Sequence, residues 1–87
     1  MLTIENLDFR LLYNGFQVKV HFANGYGVSI INHDYAYCDE NTYELAVLKN
    51  NKLYYKTPIT NDVLGHQTKE QINEVMKEAQ SYKPDQY

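Results

Sequence analysis

Two Asn-Gly pairs, Asn14-Gly15 and Asn24-Gly25, constrain the fold of this chain more than any other feature. Each pair separates runs in which apolar and polar residues alternate, and such alternation is typical of half-buried strands. Asn-Gly between alternating runs predicts a tight hairpin because both residues accept a positive φ. We therefore expect residues 7–31 to form a three-stranded antiparallel platform.

A two-residue loop at Asn14-Gly15 fixes the register of the first predicted hairpin. It pairs apolar residues with one another along both strands, namely Tyr13 with Phe16, Leu11 with Val18, Phe9 with Val20 and Leu7 with Phe22. All of these side chains then share one face of the sheet, which indicates that this face covers the core.

The second hairpin requires a longer loop. A two-residue loop at Asn24-Gly25 would place apolar side chains opposite Gly27 and Ser29. A three-residue loop over residues 23–25, with Gly25 in a left-handed bulge, restores the alternation. It sets Phe22 against Tyr26, Val20 against Val28, and Val18 against Ile30.

The rest of the chain predicts two more strands and one helix. Residues 43–48 and 53–56 form the strands, and Asn50-Asn51 forms the turn between them. Thr68 and Gln71 have the spacing of a capping box. The apolar residues that follow recur at helical spacing, at Ile72, Val75, Met76 and Ala79.

These elements predict an α+β fold, with a five-stranded, mostly antiparallel β-meander and one C-terminal α-helix packed on one face. We expect residues 1–87 to form a single domain. Residues 7–57 supply the sheet and residues 68–82 the helix. Lys83-Pro84 ends the helix, and residues 83–87 are expected to form a frayed tail.

Composition narrows the classes of function. The net charge is −3, and the eight basic residues are spread without a cluster, so we expect no nucleic-acid partner. We also expect no signal peptide and no membrane partner, because the first residues lack a basic region and no apolar run approaches about 20 residues. Cys38 is the only cysteine, which excludes an internal disulfide. No cofactor or catalytic motif occurs, so neither a cofactor nor an enzyme is expected.

Residues 32–42 form the longest irregular connection, and long loops often carry function. Tyrosine is common in recognition surfaces because it brings a large contact area at low entropic cost. We predict a binding site for a basic protein surface, formed by the tyrosines and acids Asp34, Tyr35, Tyr37, Asp39, Glu40 and Tyr55.

Several alternatives stay open. The tyrosines could pack against a sheet edge while the acids discourage aggregation there. A metal site of His33, Asp34, Asp39 and Glu40 would lack a recognised ligand spacing. A small enzyme using His33 and Cys38 would lack a third, orienting group. A small structural module that forms a homodimer is the remaining alternative.

Three segments carry a resemblance to a known family. Residues 22–29 read F-x-N-G-Y-G-x-S, residues 43–47 read Y-E-L-A-V, and residues 57–65 read T-x-I-T-x-D-V-x-G, with Tyr35 and Tyr37 between the first two. In this order, followed by an acidic amphipathic helix, they resemble a family of small uncharacterised proteins of tailed bacteriophages and prophages. The resemblance implies a non-structural viral protein made in the host cytoplasm, and it implies no activity. We expect such a protein to bind a host or phage protein, with counter-defence or host takeover as roles that binding would serve.

Overall fold

The structure, a computed structural model, describes residues 2–12, 14–34 and 36–87. The described chain forms an antiparallel sheet with one helix after it, which confirms the predicted α+β class. Its elements are β1 (Arg10–Leu12), β2 (Gly15–His21), β3 (Tyr26–Asn32), β4 (Tyr43–Lys49), β5 (Lys52–Leu53), β6 (Leu64–Gln67) and α1 (Lys69–Ser81). A 3₁₀ turn at Ile4–Asn6 precedes β1.

The sheet has the strand order β1-β2-β3-β4-β5, as a meander requires. The fifth strand is shorter than the predicted residues 53–56, although the N–H of Tyr54 still donates to the carbonyl of Val47 at 2.9 Å. The short strand β6, which was not predicted, pairs with the other half of β4. Asn50 and Asn51 both have positive φ, at 53° and 66°, as expected for the turn between β4 and β5.

The second hairpin follows the prediction. Val18 pairs with Ile30 and Val20 with Val28, and the N–H of Phe22 donates to the carbonyl of Tyr26 at 2.8 Å. Gly25 has a φ of 89°, which a residue with a Cβ rarely adopts.

The strand register of the first hairpin is shifted by two residues from the predicted register. Leu11 pairs with Phe16 instead of Val18, and β1 begins only at Arg10, so the expected pairs of Leu7 and Phe9 do not form. The expected pair of Tyr13 with Phe16 involves a residue outside the described ones.

Asn14 and Gly15 play different parts in this turn. Asn14 has a φ of 59°, whereas Gly15 is already the first residue of β2. A Cβ on Gly15 would lie 1.8 Å from the carbonyl oxygen of Asn32. A close approach between two strands, and not a positive φ, therefore requires glycine at position 15.

The core lies between the sheet and α1. Ile72 and Met76 are fully buried in one cluster with Val28, Ile30 and Leu45. The predicted capping box forms, since Thr68 Oγ1 accepts from the Gln71 N–H at 3.2 Å and Gln71 Oε1 from the Thr68 N–H at 2.9 Å. The predicted core face is confirmed as well, because Phe9, Val18 and Val20 all pack on this cluster.

In the connection before the helix, His66 and not Gly65 takes a left-handed conformation, with a φ of 51°. Gly65 lies within β6, where Leu64 pairs with Leu45 and packs on the core.

The segment after the helix contacts the sheet instead of extending into solvent. The rings of Tyr82 and Tyr87 lie 4.8 Å apart, and the backbone N–H of Tyr87 donates to the hydroxyl of Tyr26 at 2.8 Å. The fraying expected of residues 83–87 stays a prediction: these residues are exposed in the structure, and Tyr87 among them bonds to Tyr26 at one end of the core face. Within the described residues, no helix has the length and apolar character needed to cross a membrane.

Candidate functional site

The loop over residues 33–42, between β3 and β4, runs across one end of the sheet. Near its start, Asn14 Nδ2 donates to Asp34 Oδ2 at 3.4 Å. Farther along, the carbonyl of Tyr37 accepts from the His66 N–H at 2.8 Å. The loop therefore reaches from the β1–β2 turn to β6, and we call it the end loop.

A hydrogen-bonded turn at residues 39–42 fixes the C-terminal part of the end loop, just before β4. Asp39 Oδ1 accepts from the Asn41 N–H at 3.0 Å and from the Thr42 hydroxyl at 3.1 Å. Asn32 Nδ2 donates to the carbonyls of Asp39 and Thr42 at 3.0 and 2.7 Å. These bonds hold the turn against the last residue of β3.

The charge of Asp39 is favoured by the same contacts. The N–H of Asn41 and the hydroxyl of Thr42 stabilise the carboxylate, and His66 adds a smaller electrostatic contribution, so the pKa of Asp39 lies below its ordinary value. His66 Nδ1 lies 4.0 Å from Asp39 Oδ2. Asp39 thus presents a fixed negative charge at physiological pH.

Tyr37 is the most exposed aromatic side chain of the end loop among the described residues. Its side chain is 68% exposed, while its backbone N–H donates to Glu44 Oε1 at 3.3 Å. Asp34, Asp39 and Glu40 are exposed on the same loop. The end loop therefore brings together four of the six predicted site residues.

The other two predicted site residues are Tyr35 and Tyr55. Tyr35 lies outside the described residues. Tyr55 is exposed and follows β5, and no hydrogen bond, ion pair or ring contact is described between Tyr55 and the end loop. The participation of both residues stays a prediction.

Apart from its histidines, the charged side chains of the segment that contains the end loop are all acidic. Residues 20–48 contain no lysine or arginine, but they contain the four acids Asp34, Asp39, Glu40 and Glu44. A surface of this kind attracts a positively charged partner and repels a negative one.

The chemistry of Cys38 and His33 was the basis of the enzyme alternative. The described contact of the Cys38 sulfur is with the carbonyl oxygen of His33, at 4.0 Å. A backbone carbonyl cannot accept a thiol proton as a general base does, so this contact does not activate the thiol. In the part of the chain that the structure describes, no three His, Cys, Asp or Glu side chains are grouped to hold a metal ion.

The same end of the sheet carries an apolar surface that was not predicted. The side chains of Phe9, Phe16 and Tyr43 line an open pocket of about 220 Å³, and we call it the apolar notch. Leu11, paired with Phe16, is 80% exposed. The alternation correctly placed Leu11 and Phe16 on the core face, but α1 packs mainly on β3 and β6 and leaves these two side chains of β1 and β2 exposed.

A scan against protein-family models found no match, and searches of curated proteins and of solved structures found none either. No relative therefore supplies a functional analogy, and function is inferred from the residues of the site.

Proposed function

We propose that this chain is a non-enzymatic accessory protein of a tailed bacteriophage. It acts in the cytoplasm of the infected cell by binding a host or phage protein through the end loop, where Asp34, Tyr37, Asp39 and Glu40 make the contacts. Counter-defence and host takeover are the roles that such binding would serve. The viral origin is supported by the motifs of residues 22–29, 43–47 and 57–65, which resemble those of small phage proteins.

The observation that carries the binding role is the exposure of Tyr37 on an anchored loop. Tyr37 is 68% exposed, yet hydrogen bonds to His66 and Glu44 fix its backbone. An exposed tyrosine on flexible backbone would lose much conformational entropy on binding, whereas an anchored loop loses little. Large, rigid side chains of this kind dominate the energetics of many interfaces.

The charge of the end loop supports a basic partner. Asp34, Asp39 and Glu40 are all exposed, and neither lysine nor arginine occurs between Lys19 and Lys49. A protein surface rich in lysine or arginine would be drawn to this end of the sheet, and it would associate faster at low salt.

Affinity capture from a lysate of the bacterial host, with and without phage infection, tests the proposal. We expect the wild-type chain to capture a discrete protein that Tyr37→Ala and Asp39→Asn/Glu40→Gln recover at least about tenfold less. Glu70→Gln/Glu74→Gln is the matched control, because it removes the same charge from exposed positions of α1. Capture of nothing above background, or equal capture by all variants, would overturn the proposal.

A further inference from the structure

The apolar notch is an opening in the core face and not a separate feature of the surface. Phe16 pairs with Asn32. Tyr43 directly precedes Glu44, which pairs with Ile31, the neighbour of Asn32 in β3. The Phe9 and Tyr43 rings lie 5.9 Å apart, and both residues pack on the core cluster. The notch is therefore a continuation of the core toward solvent.

The two ends of the core face are covered differently. At one end, Tyr82 and Tyr87 pack over Tyr26. At the other end, Leu11 is 80% and Phe16 is 49% exposed. Exposed apolar side chains that adjoin one another in this way mark interaction sites in soluble proteins.

The size of the notch limits what enters it. Pockets for drug-sized ligands usually occupy about 300–1,000 Å³, and the notch, at about 220 Å³, is smaller. Its walls are the rings of Phe9, Phe16 and Tyr43. A single aliphatic side chain of a larger partner matches this space and this lining.

The acidic end loop borders the notch. Asn32, whose side chain shares a face with Phe16, donates to the carbonyls of Asp39 and Thr42, so the 39–42 turn lies beside the notch. Asp34 accepts from Asn14, two residues before Phe16. An apolar pocket and exposed carboxylates are thus presented together.

We propose that the apolar notch is an anchor pocket for a protein segment that carries an aliphatic side chain next to lysine or arginine. This inference rests on the proposed function and specifies the chemistry of its partner. The aliphatic side chain packs against Phe9, Phe16 and Tyr43, while the flanking cations meet Asp34, Asp39 and Glu40.

A second copy of this chain fits the surface less well than a basic partner does. A two-fold dimer brings the same patch of both subunits together. Contact through the notch would set one acidic end loop against the other, and like charges at an interface cost binding energy. Arg10 and Lys19 provide no compensation, because both lie on the opposite face from Leu11 and Phe16.

Selection from a random dodecapeptide library displayed on phage tests the inference without knowledge of the natural partner. We expect the wild-type chain to enrich peptides that combine an aliphatic residue with adjacent lysine or arginine. The best peptide, synthesised and titrated by calorimetry, should bind Phe16→Ser at least about tenfold more weakly than wild type. Leu11→Ser is a second variant for the same titration. Because Leu11 is 80% exposed, we expect this variant to fold as wild type does.

Two control variants separate the notch from general surface effects. Leu53→Ser removes another exposed leucine, 56% exposed on β5, and should leave the affinity unchanged. Asp39→Asn/Glu40→Gln should weaken binding several-fold at low salt, and Glu70→Gln/Glu74→Gln should not.

The contrary outcomes are distinct. No enrichment, enrichment of acidic or purely polar peptides, or equal affinity for Phe16→Ser and wild type would overturn the inference. A concentration-dependent dimer in sedimentation, lost in Phe16→Ser, would assign the notch to a second copy and overturn it as well. If Tyr37→Ala abolishes lysate capture while Phe16→Ser preserves it, the proposed function stands and the notch inference alone fails.

Discussion

Asn32 Nδ2 lies 2.7 Å from the carbonyl oxygen of Thr42 and donates a hydrogen bond to it. The same amide group also donates to the carbonyl of Asp39 at 3.0 Å. The last residue of β3 thereby closes the loop that leads into β4. A loop closed in this way keeps Asp39 and its neighbours in one arrangement, as a binding surface requires.

Asn32→Ala tests this closure. The substitution leaves two carbonyls without their donor, and we expect a loss of about 1–2 kcal/mol in the free energy of unfolding. Amide hydrogen exchange should accelerate at residues 38–42 and stay slow in the buried part of β3. Asn41→Ala is the control, because Asn41 contributes its backbone N–H to the turn. Unchanged exchange in the loop would contradict the assigned role of Asn32.

Asp39 should make stability depend on pH in the acid range. Its pKa in the folded chain is lowered, so it stabilises the fold above its unfolded pKa of about 3.9, and this contribution is lost as the pH falls through the folded pKa. We expect the difference in unfolding free energy between wild type and Asp39→Asn to shrink as the pH falls below the unfolded pKa of about 3.9.

Carboxyl NMR titration gives a direct measurement on the same group. The pKa of Asp39 should rise toward its ordinary value in Thr42→Val, because the variant lacks the hydroxyl that donates to the carboxylate. An Asp39 pKa that is unchanged by Thr42→Val would show that other contacts determine the shift.

Met76 tests the packing of α1 on the sheet. Its side chain is fully buried in the core cluster, so Met76→Ala should lower the unfolding free energy by about 2–5 kcal/mol in urea denaturation. Lys77→Ala, on the exposed side of the same helix, should change it by no more than about 0.5 kcal/mol. Equal effects of the two substitutions would contradict the packing of the helix through this face.

Local turn and cap chemistry made the second hairpin and the helix predictable. A left-handed glycine at position 25 and the Thr68–Gln71 capping box each depend on residues close in sequence, and both form. Local patterns do not predict the tertiary contact of Asn24, whose side chain donates to the carbonyls of Ala79 and Tyr82 at the helix C-terminus.

The register of the first hairpin could not be read from the hydrophobic pattern. Side chains in a strand alternate with a period of two, so a shift by two residues leaves every side chain on its original face. The predicted pair of Leu11 with Val18 and the observed pair with Phe16 therefore satisfy the same pattern. The close contact of Gly15 with Asn32 involves β3, which a local turn rule does not include.

The candidate site was predictable in its residues but not in its geometry. Exposed acids and a tyrosine in a long loop could be identified from composition. The anchoring of Tyr37 by His66, and the short strand β6 that positions His66, depend on partners distant in sequence. The apolar notch likewise depends on which strands the helix covers, which periodicity alone does not determine.

Lys49 holds the segment after the helix against the sheet. Its Nζ atom lies 2.6 Å from the carbonyl oxygen of Tyr87 and 3.5 Å from Asp85 Oδ1, above the rings of Tyr26 and Tyr54 at 5.5 and 5.0 Å. Burial opposes its charge, but Tyr26, Tyr54 and Asp85 outweigh burial and raise the pKa of Lys49. The ammonium group therefore contacts Tyr87 and Asp85 of the tail and also makes cation–π contacts with the rings of Tyr26 and Tyr54.

Lys49→Met should release residues 83–87, because it keeps the aliphatic stem and removes the charge and the donor. We expect faster amide exchange at Tyr87 and a lower melting temperature, while Lys49→Arg retains most of both. Lys52→Met, which removes the exposed lysine opposite Lys49 across the β4–β5 turn, should change neither. Because the raised pKa of Lys49 stabilises the fold below about pH 10.4, the difference between wild type and Lys49→Met should shrink as the pH rises above that value. Equal protection of Tyr87 in Lys49→Met and wild type would show that the Tyr82 ring and the Tyr26 hydroxyl hold the tail without the lysine.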